Sequence, residues 1–281
     1  MRFTHRSILI VLIAGAAACA PAHAQDQFTL KYTLEKGKAY RFADTSLIKS
    51  SQEVNGQEMK STITSYSTIR LVPEEIRGDG STVFTVSPDQ MTVAVKNARM
   101  DTTIDIKEMV GKRTRMTVSA LGETLKKEII DTVQYSQLTA SMGRQDLIRL
   151  HTMPTKPVKI GEKWTATKPD TNDAMGGRMV TLSTGDFTLL SRENRLGVDC
   201  LKISYTGKMT VKGKGTMNGM DFFVEGSGTT SGTYFQAVKT GMTVWEDSKY
   251  DVESTVALTG AQNLTIPSST SVSSHRILLK D

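Results

Sequence analysis

Alternation of apolar and polar residues in short runs constrains the fold of this chain most. Every second residue is apolar in the first of these runs: Phe28, Leu30, Tyr32 and Leu34. Similar runs lie at 61–71, 82–86, 91–95, 115–119, 179–183, 187–191, 201–205, 208–212, 220–225, 242–245 and 252–258. A period of two is typical of strands that bury one face. Because charged residues sit between the apolar ones, the pattern favours antiparallel strands with one wet face.

Glycine-containing joints separate many of the runs. Asn55-Gly56, residues 78–80, Gly122, residues 194–197 and Asn218-Gly219 have the composition of hairpin turns. Glycines also recur inside two runs, as Gly-x-Gly-x-x-x-Gly at 213–219 and again at 226–232. Glycine within a strand usually marks a bulge or a sharp bend. The sequence therefore predicts a mainly β protein of antiparallel, strongly curved sheets that form an open or half barrel.

One segment departs from the period of two. Between about residues 131 and 150 the apolar positions Tyr135, Leu138 and Met142 are three and four apart, as on one face of a helix. Gly143 interrupts the pattern, so two short helices or a frayed one are expected. We therefore predict a helical connector over 131–153.

A short motif occurs twice and suggests how the chain is organised. Apolar-x-x-Gly-x-x-aromatic spacing is found at 34–40, ending in Tyr40, and at 158–164, ending in Trp164. Each copy places a turn glycine ahead of a strand. This echo predicts a first β meander over 25–130 and a second over 154–281.

Residues 154–164, Pro-Thr-Lys-Pro-Val-Lys-Ile-Gly-Glu-Lys-Trp, carry a family resemblance. They resemble the central Pro-x-x-Pro-Val-x-x-Gly-x-x-Trp signature of a family of exported bacterial proteins defined as a domain of unknown function. That resemblance implies export and a second half that begins here, and it brings no catalytic residue. More loosely, many antiparallel strands with a helical insert are similar to the open β-barrels of periplasmic lipoprotein carriers, where helices cover an apolar concave face.

Residues 1–24 have the features of a secretory signal peptide. Arg2 and Arg6 precede an apolar stretch at 8–18, and Ala22-His23-Ala24 supplies a small-x-small cleavage site. The sequence therefore predicts export to the periplasm or the exterior, with no membrane-spanning segment after cleavage. Two alternatives stay open: an uncleaved N-terminal anchor, and lipidation at Cys19, which follows three alanines as in a weak lipobox.

Residues typical of catalysis or metal binding are sparse. After cleavage the chain keeps two histidines, His151 and His275, and one cysteine, Cys200, with no compact ligand spacing. There is no Gly-x-Ser-x-Gly elbow and no phosphate-binding glycine loop. Basic residues exceed acidic ones by only four after cleavage and are scattered among them, which argues against nucleic-acid binding. We predict no cofactor and no metal, and Cys200 as a buried hydrophobe.

Methionines on strands and the bent sheet favour a hydrophobic ligand, either a lipid or a lipidated protein. Flexible thioethers adapt to varied apolar shapes. The residues expected to line the site are Tyr135, Leu138, Met142, Trp164, Met220 and Phe222. Two other hypotheses are a structural module that binds an envelope protein and, less favoured, a hydrolase whose catalytic residues are dispersed along the sequence.

Overall fold

A computed structural model describes residues 26–133, 147–174, 177–217, 220–260 and 263–280, except for the side chains of 172–174 and 217. The strands are β1 Gln27–Phe28, β2 Tyr40–Val54, β3 Gln57–Ile76, β4 Thr82–Asn97, β5 Asp101–Asp105, β6 Thr114–Val118, β7 Thr124–Ile129, β8 Val158–Lys159, β9 Lys163–Ala174, β10 Gly177–Arg195, β11 Val198–Met217, β12 Met220–Ala237, β13 Thr243–Thr259 and β14 Leu264–Leu278. A single turn of 3-10 helix spans Lys107–Met109. Of the predicted helical connector, residues 131–133 and 147–153 are not helical, and the rest lies outside the described residues.

All strand pairs in the main sheet are antiparallel. Its order is β7-β6-β4-β3-β2-β14-β13-β12-β11-β10-β9, and β5 is added beside β4 to make 12 strands. The terminal strands β7 and β9 do not pair with each other, so the sheet is open. The predicted fold class, a mainly β antiparallel sheet of open-barrel type, is confirmed. The two predicted meanders share this one sheet through the β2–β14 pair, and their division into domains stays a prediction.

The main hydrophobic core shows that the sheet curls. Met116 on β6 and Leu189 on β10 belong to one buried cluster, and Trp164 on β9 packs against it. These strands lie near opposite ends of the sheet order, so the sheet must curve around the cluster for them to meet. The core fills one end of the curl, and we call its surface toward the core the inner face.

The N-terminal segment closes the core end of the sheet. The sequence predicts a strand through residue 34, but only β1 joins a ladder, with β8. Residues 29–34 instead pass between two turns. The Tyr32 amide donates to the Ala120 carbonyl at 2.8 Å, and the Thr33 amide donates to the Thr240 carbonyl at 2.9 Å. The apolar side chains of this segment are buried in the core, which explains the alternation without a continuous ladder.

The repeated glycine motif forms the same turn in both places. Gly37 and Gly161 have positive φ values of 76° and 86°. The Gly37 amide donates to the Pro73 carbonyl at 2.8 Å, and the Gly161 amide donates to the Leu189 carbonyl at 2.7 Å, each on the neighbouring strand. A left-handed residue here favours glycine. The echo is therefore a local structural equivalence.

Several predicted short strands are fused into long ones. The runs at 179–183 and 187–191 form the single strand β10 of 19 residues, and those at 201–205 and 208–212 lie in β11 of 20 residues. Gly185 and Gly207 are directly opposite each other in the ladder. The ladder continues through both glycines without a shift of register, so they do not end the strands.

Candidate functional site

The long strands extend well past the core, and their inner face there is only half-buried. In β12, β13 and β14 the residues alternate between half-buried and exposed along this extension. The inner-face residues are Ser46, Ile48, Ser50, Met209, Val211, Val224, Gly226, Gly228, Thr230, Tyr250, Val252, Ser254, Val256, Leu258, Leu264, Ile266, Ser268, Thr270 and Val272. We call this surface the trough. From Tyr250 to Leu258 it extends about 26 Å at the usual rise of a strand.

The opposite face of the same strands is charged. Its exposed side chains include Lys49, Lys208, Lys212, Lys214, Glu225, Asp251 and Glu253. The inner-face residues named above are therefore uncharged, whereas the outer face carries charged residues together with hydroxyl residues and the exposed Phe223. This asymmetry comes from the period of two in the sequence.

Glycines on the inner face allow the sheet to bend tightly. A Cβ added at Gly228 would lie 2.3 Å from the Asp251 carbonyl oxygen, and one at Gly226 would lie 2.7 Å from the Ser254 Cβ. Atoms converge in this way on the inside of a curved sheet. The bend inferred from the two glycine runs is therefore present.

Charged residues lie where the core meets the trough, in one layer across three strands. Glu246 on β13 is directly opposite Arg276 on β14, which is directly opposite Asp44 on β2. Arg276 binds Asp44 through two hydrogen bonds, Nε to Oδ1 at 2.6 Å and Nη2 to Oδ2 at 2.9 Å. We call these three residues the charged layer. A bidentate pair of this kind fixes the relative orientation of its two side chains and keeps both of them charged.

His151 packs against this layer from the core side. Its ring stacks on Tyr234, with centroids 3.9 Å apart and planes 7° apart. Its Nε2 lies 3.2 Å from Oε1 of Glu246 but is not aligned for a hydrogen bond with any described residue. The Tyr205 hydroxyl donates to the same carboxylate oxygen at 3.2 Å. Both members of the His151–Glu246 pair are only 7% exposed at the side chain.

The electrostatics of the layer keep Glu246 ionised. Burial by itself raises the pKa of Glu246, but the nearby His151, Arg149 and Arg276 outweigh burial and lower that pKa to about 2. Burial raises the pKa of Tyr205, so its hydroxyl stays a neutral donor. The layer therefore holds a carboxylate that accepts hydrogen bonds at neutral pH.

The segment that carries His151 is held by Tyr32. The Tyr32 hydroxyl donates to the His151 carbonyl at 3.2 Å and accepts from the His151 amide at 3.0 Å. Just before it, Arg149 places its guanidinium 4.5 Å from the ring centroid of Tyr250. Arg149 is exposed and stands at the floor of the trough.

A small cleft lies at the core end, away from the trough. It has a volume of about 230 Å³ and is lined by residues 27–31, Leu201, residues 236–238 and Gly241. The buried Oε1 of Gln236 has no partner among the described residues. Pockets for drug-sized ligands usually exceed about 300 Å³, so this cleft is small for a lipid.

The structure separates the residues predicted to line a ligand site. Tyr135, Leu138 and Met142 lie outside the described residues. Trp164 packs on the core and stacks on Phe187, with centroids 5.4 Å apart. Met220 and Phe222 lie at the other end of the strands, where Phe222 is 1% exposed.

Sequence reasoning missed the charged layer. Three charged residues occupy inward-facing positions on adjacent strands: Glu246, Arg276 and Asp44. A charge at an inward-facing position of an alternating pattern is the sequence signal that could have identified them. Their proximity depends on strand pairing between distant parts of the chain.

Two further sequence predictions concern reactive and metal-binding groups. Cys200 is fully buried, and burial raises the pKa of its thiol to about 11, as expected for a buried hydrophobe. Among the described residues, no group of three or more His, Cys, Asp or Glu side chains is arranged to hold a metal ion. No helix in the described parts of the chain is both long and apolar enough to span a membrane.

No protein-family model matches the chain, and no curated protein matches it. Solved structures with partial likeness are outer membrane channels. Pseudomonas aeruginosa OccK2 in complex with glucuronate is 6% identical over 88% of this chain and 100% of that one, with a TM-score of 0.28. A channel from Pseudomonas putida F1 is 12% identical over 88% and 97%, with a TM-score of 0.23. At these TM-scores the likeness carries no argument about function.

Proposed function

We propose that this is an exported protein of the cell envelope that binds a hydrophobic ligand, a lipid or an acyl chain, along the trough. The observation that carries the proposal is the contrast between the two faces of the long strands. Beyond the core, the inner face offers half-buried aliphatic side chains and no charge, whereas the outer face carries the charged residues of these strands. Binding sites for apolar ligands are concave and mostly apolar, with few polar groups.

Glycines let the strands approach closely along the trough. Gly228 is opposite Val252 and Gly226 is opposite Ser254, so no large side chain projects from β12 at these two positions. An acyl chain fits against such a surface because it makes many weak dispersion contacts and needs no hydrogen bonds. Half-buried valines and isoleucines lose further contact with water when it binds.

Export and location belong to the same proposal. The support for them is the signal-peptide pattern of residues 1–24, which lie outside the described residues. The charged outer face favours contact with water. A soluble envelope carrier is thus the expected setting, and lipidation at Cys19 is its alternative.

Fluorescent fatty acid uptake tests the proposal directly. The chain beginning at Gln25 is titrated with the probe, and the wild type is compared with Ser268→Trp and Ser269→Trp. Ser268 faces the trough and Ser269 faces outward on the same strand. Blocking the trough should weaken uptake by about tenfold or more, a loss on the order of 1.4 kcal/mol, whereas Ser269→Trp should have no effect. Absence of uptake, together with no lipid in a solvent extract of protein purified from the envelope, would overturn the proposal.

A second candidate function is supported by β7, the terminal strand of the sheet among the described residues. All six residues of β7 are exposed, including Leu125 and Ile129, which are 56% and 54% exposed. An open edge with apolar side chains can pair with an extended strand of another protein. Recovery of a stoichiometric complex from periplasmic extract, lost on Leu125→Lys, would favour an envelope-protein partner.

A further inference from the structure

We propose that Arg149, at the floor of the trough, binds the oxyanion of the ligand's headgroup, so that the trough selects lipids with a carboxylate or phosphate headgroup. This inference rests on the proposed function of the trough. It adds the chemical class of the ligand and the direction in which the ligand lies.

Arg149 is an exposed charged group at the floor of the trough, and its charge helps to lower the pKa of Glu246 without a direct ion pair between the two side chains. Arg276 binds Asp44 through its Nε and Nη2 atoms. The Glu246 carboxylate lies beside His151 and accepts a hydrogen bond from Tyr205. Within the part of the chain that the structure describes, no carboxylate lies at ion-pair distance from the Arg149 guanidinium. A planar guanidinium binds carboxylates and phosphates through paired hydrogen bonds.

The position of Arg149 is fixed from two sides. Its guanidinium rests over the ring of Tyr250, an inner-face residue of β13, at 4.5 Å from the centroid. Its carbonyl oxygen accepts a hydrogen bond from Nη1 of Arg276 at 3.2 Å. Because backbone and side chain are both held, binding an anion costs little ordering entropy.

A row of serines lies one step above the charged layer. Ser248, Ser274, Ser46 and Ser65 are directly opposite one another on four neighbouring strands. Ser46 and Ser65 share a hydrogen bond of 2.7 Å between their hydroxyl oxygens. Serines are small, so they leave room beside Arg149, and their hydroxyls can donate to an oxyanion. The floor therefore combines one guanidinium with hydroxyl donors.

The rest of the trough suits the ligand's tail. Above the serines the next layer contains Tyr250, Val272, Ile48 and Ile63, and the far end contains Leu258 and Leu264. From Tyr250 to Leu258 the strand extends about 26 Å, which exceeds the roughly 15 Å of one leaflet of a membrane's hydrocarbon core. A headgroup at Arg149 thus places its acyl chain against apolar side chains.

A matched pair of lipids tests the assignment on the wild-type protein. Oleate and oleyl alcohol share one tail and differ in headgroup charge, and each is used to displace a neutral fluorescent probe. Oleate should bind about tenfold or more tightly than the alcohol, the range for a hydrogen bond to a charged group. Equal affinity would overturn the headgroup assignment and leave the lipid-binding trough standing. Failure of both lipids to displace the probe, with no uptake of a fluorescent fatty acid, would overturn both proposals.

Substitutions then locate the charge. Arg149→Gln should remove most of the preference for oleate and leave the affinity for oleyl alcohol unchanged. Arg149→Lys keeps the charge but loses the paired hydrogen bonds and the stacking on Tyr250, so it should keep only part of that preference. The control is Arg178→Gln, which makes the same change at an exposed position on the outer face of β10. A preference that persists in Arg149→Gln, or disappears equally in Arg178→Gln, would contradict the assignment.

Discussion

The imidazole Nε2 of His151 lies 3.2 Å from the carboxylate Oε1 of Glu246, at the boundary between the packed core and the trough. Both side chains are buried, so each loses hydration and depends on the other and on Tyr205 for compensation. The pair joins the segment ahead of β8 to strand β13. It therefore holds Arg149, two residues earlier, at the trough floor.

Removing His151 should strongly destabilise the protein. His151→Phe keeps a ring to stack on Tyr234 but leaves the Glu246 carboxylate without its partner, at a cost of about 3 kcal/mol or more. Urea unfolding followed by tryptophan fluorescence measures the change. His151→Phe combined with Glu246→Leu should be more stable than His151→Phe alone, because the unpaired charge is gone. If the double variant is the less stable one, the pair does not act as inferred.

An exposed ion pair is the control for that experiment. Arg192 and Asp199 form two hydrogen bonds on the surface, at 3.0 and 2.7 Å. Arg192→Gln should leave the urea midpoint almost unchanged, because exposed pairs gain little over hydration. A loss comparable to that of His151→Phe would show that burial is not the deciding factor.

Acid should unfold the protein partly through Glu246. Its pKa is held at about 2 in the folded protein against an ordinary 4.5, so the unfolded chain binds a proton first as the pH falls. This stabilisation is complete above pH 4.5 and is lost as the pH falls toward 2, a total of roughly 3 kcal/mol. Urea midpoints measured from pH 6 to pH 2.5 should fall less steeply in Glu246→Gln. Parallel curves for the two proteins would contradict the assignment.

Local sequence predicted the turns better than the length of the strands. Asn55-Gly56 forms the predicted hairpin turn, with φ values of 52° and 75°. Gly185 and Gly207 look similar in sequence to turn glycines, yet they pair across two continuous strands. Whether a glycine ends a strand or lies within one depends on the pairing with the neighbouring strand, and short-range patterning in the sequence does not reveal that pairing.

The candidate site was less predictable than the fold. The alternating run at 252–258 indicated which residues of β13 face inward, and its valines Val252 and Val256 line the trough as the alternation requires. By contrast, Asp44 and Arg276 come from opposite ends of the chain and meet only through the β2–β14 pair. The helical residues expected to cover the site lie outside the described residues.

Gly241 should tolerate alanine much less well than Gly56. Both have positive φ, 72° and 75°, so both substitutions carry the cost of a left-handed residue, about 1 to 2 kcal/mol. Only at Gly241 would the new Cβ meet another segment, 2.1 Å from the Lys31 carbonyl oxygen; at Gly56 nothing lies within 4 Å. Gly241→Ala should therefore lower the urea midpoint more than Gly56→Ala. Equal losses would mean that residues 29–34 are not packed against this turn.

Cysteine labelling can map the trough because the native thiol, Cys200, is expected to be unreactive in the folded protein. In a chain that begins at Gln25, Cys200 is the single cysteine, and it is fully buried with a pKa of about 11. It should react with a disulfide reagent at pH 8 only after unfolding in urea. Reaction in the folded protein would contradict that burial and exclude the approach.

New thiols on the two faces of β14 then report ligand occupancy. Ser269→Cys faces outward and should react at the rate of an accessible thiol, whereas Ser268→Cys faces the trough and should react more slowly. Saturating oleate should slow Ser268→Cys by about tenfold or more, as expected when a bound chain excludes the reagent from all but a small free fraction, and should not affect Ser269→Cys. Because the two positions are adjacent and share one backbone environment, a general effect of oleate on stability would change both rates. Slowing at Ser268→Cys alone can arise only on the inner face, and an absence of slowing by oleate at Ser268→Cys would place the lipid elsewhere.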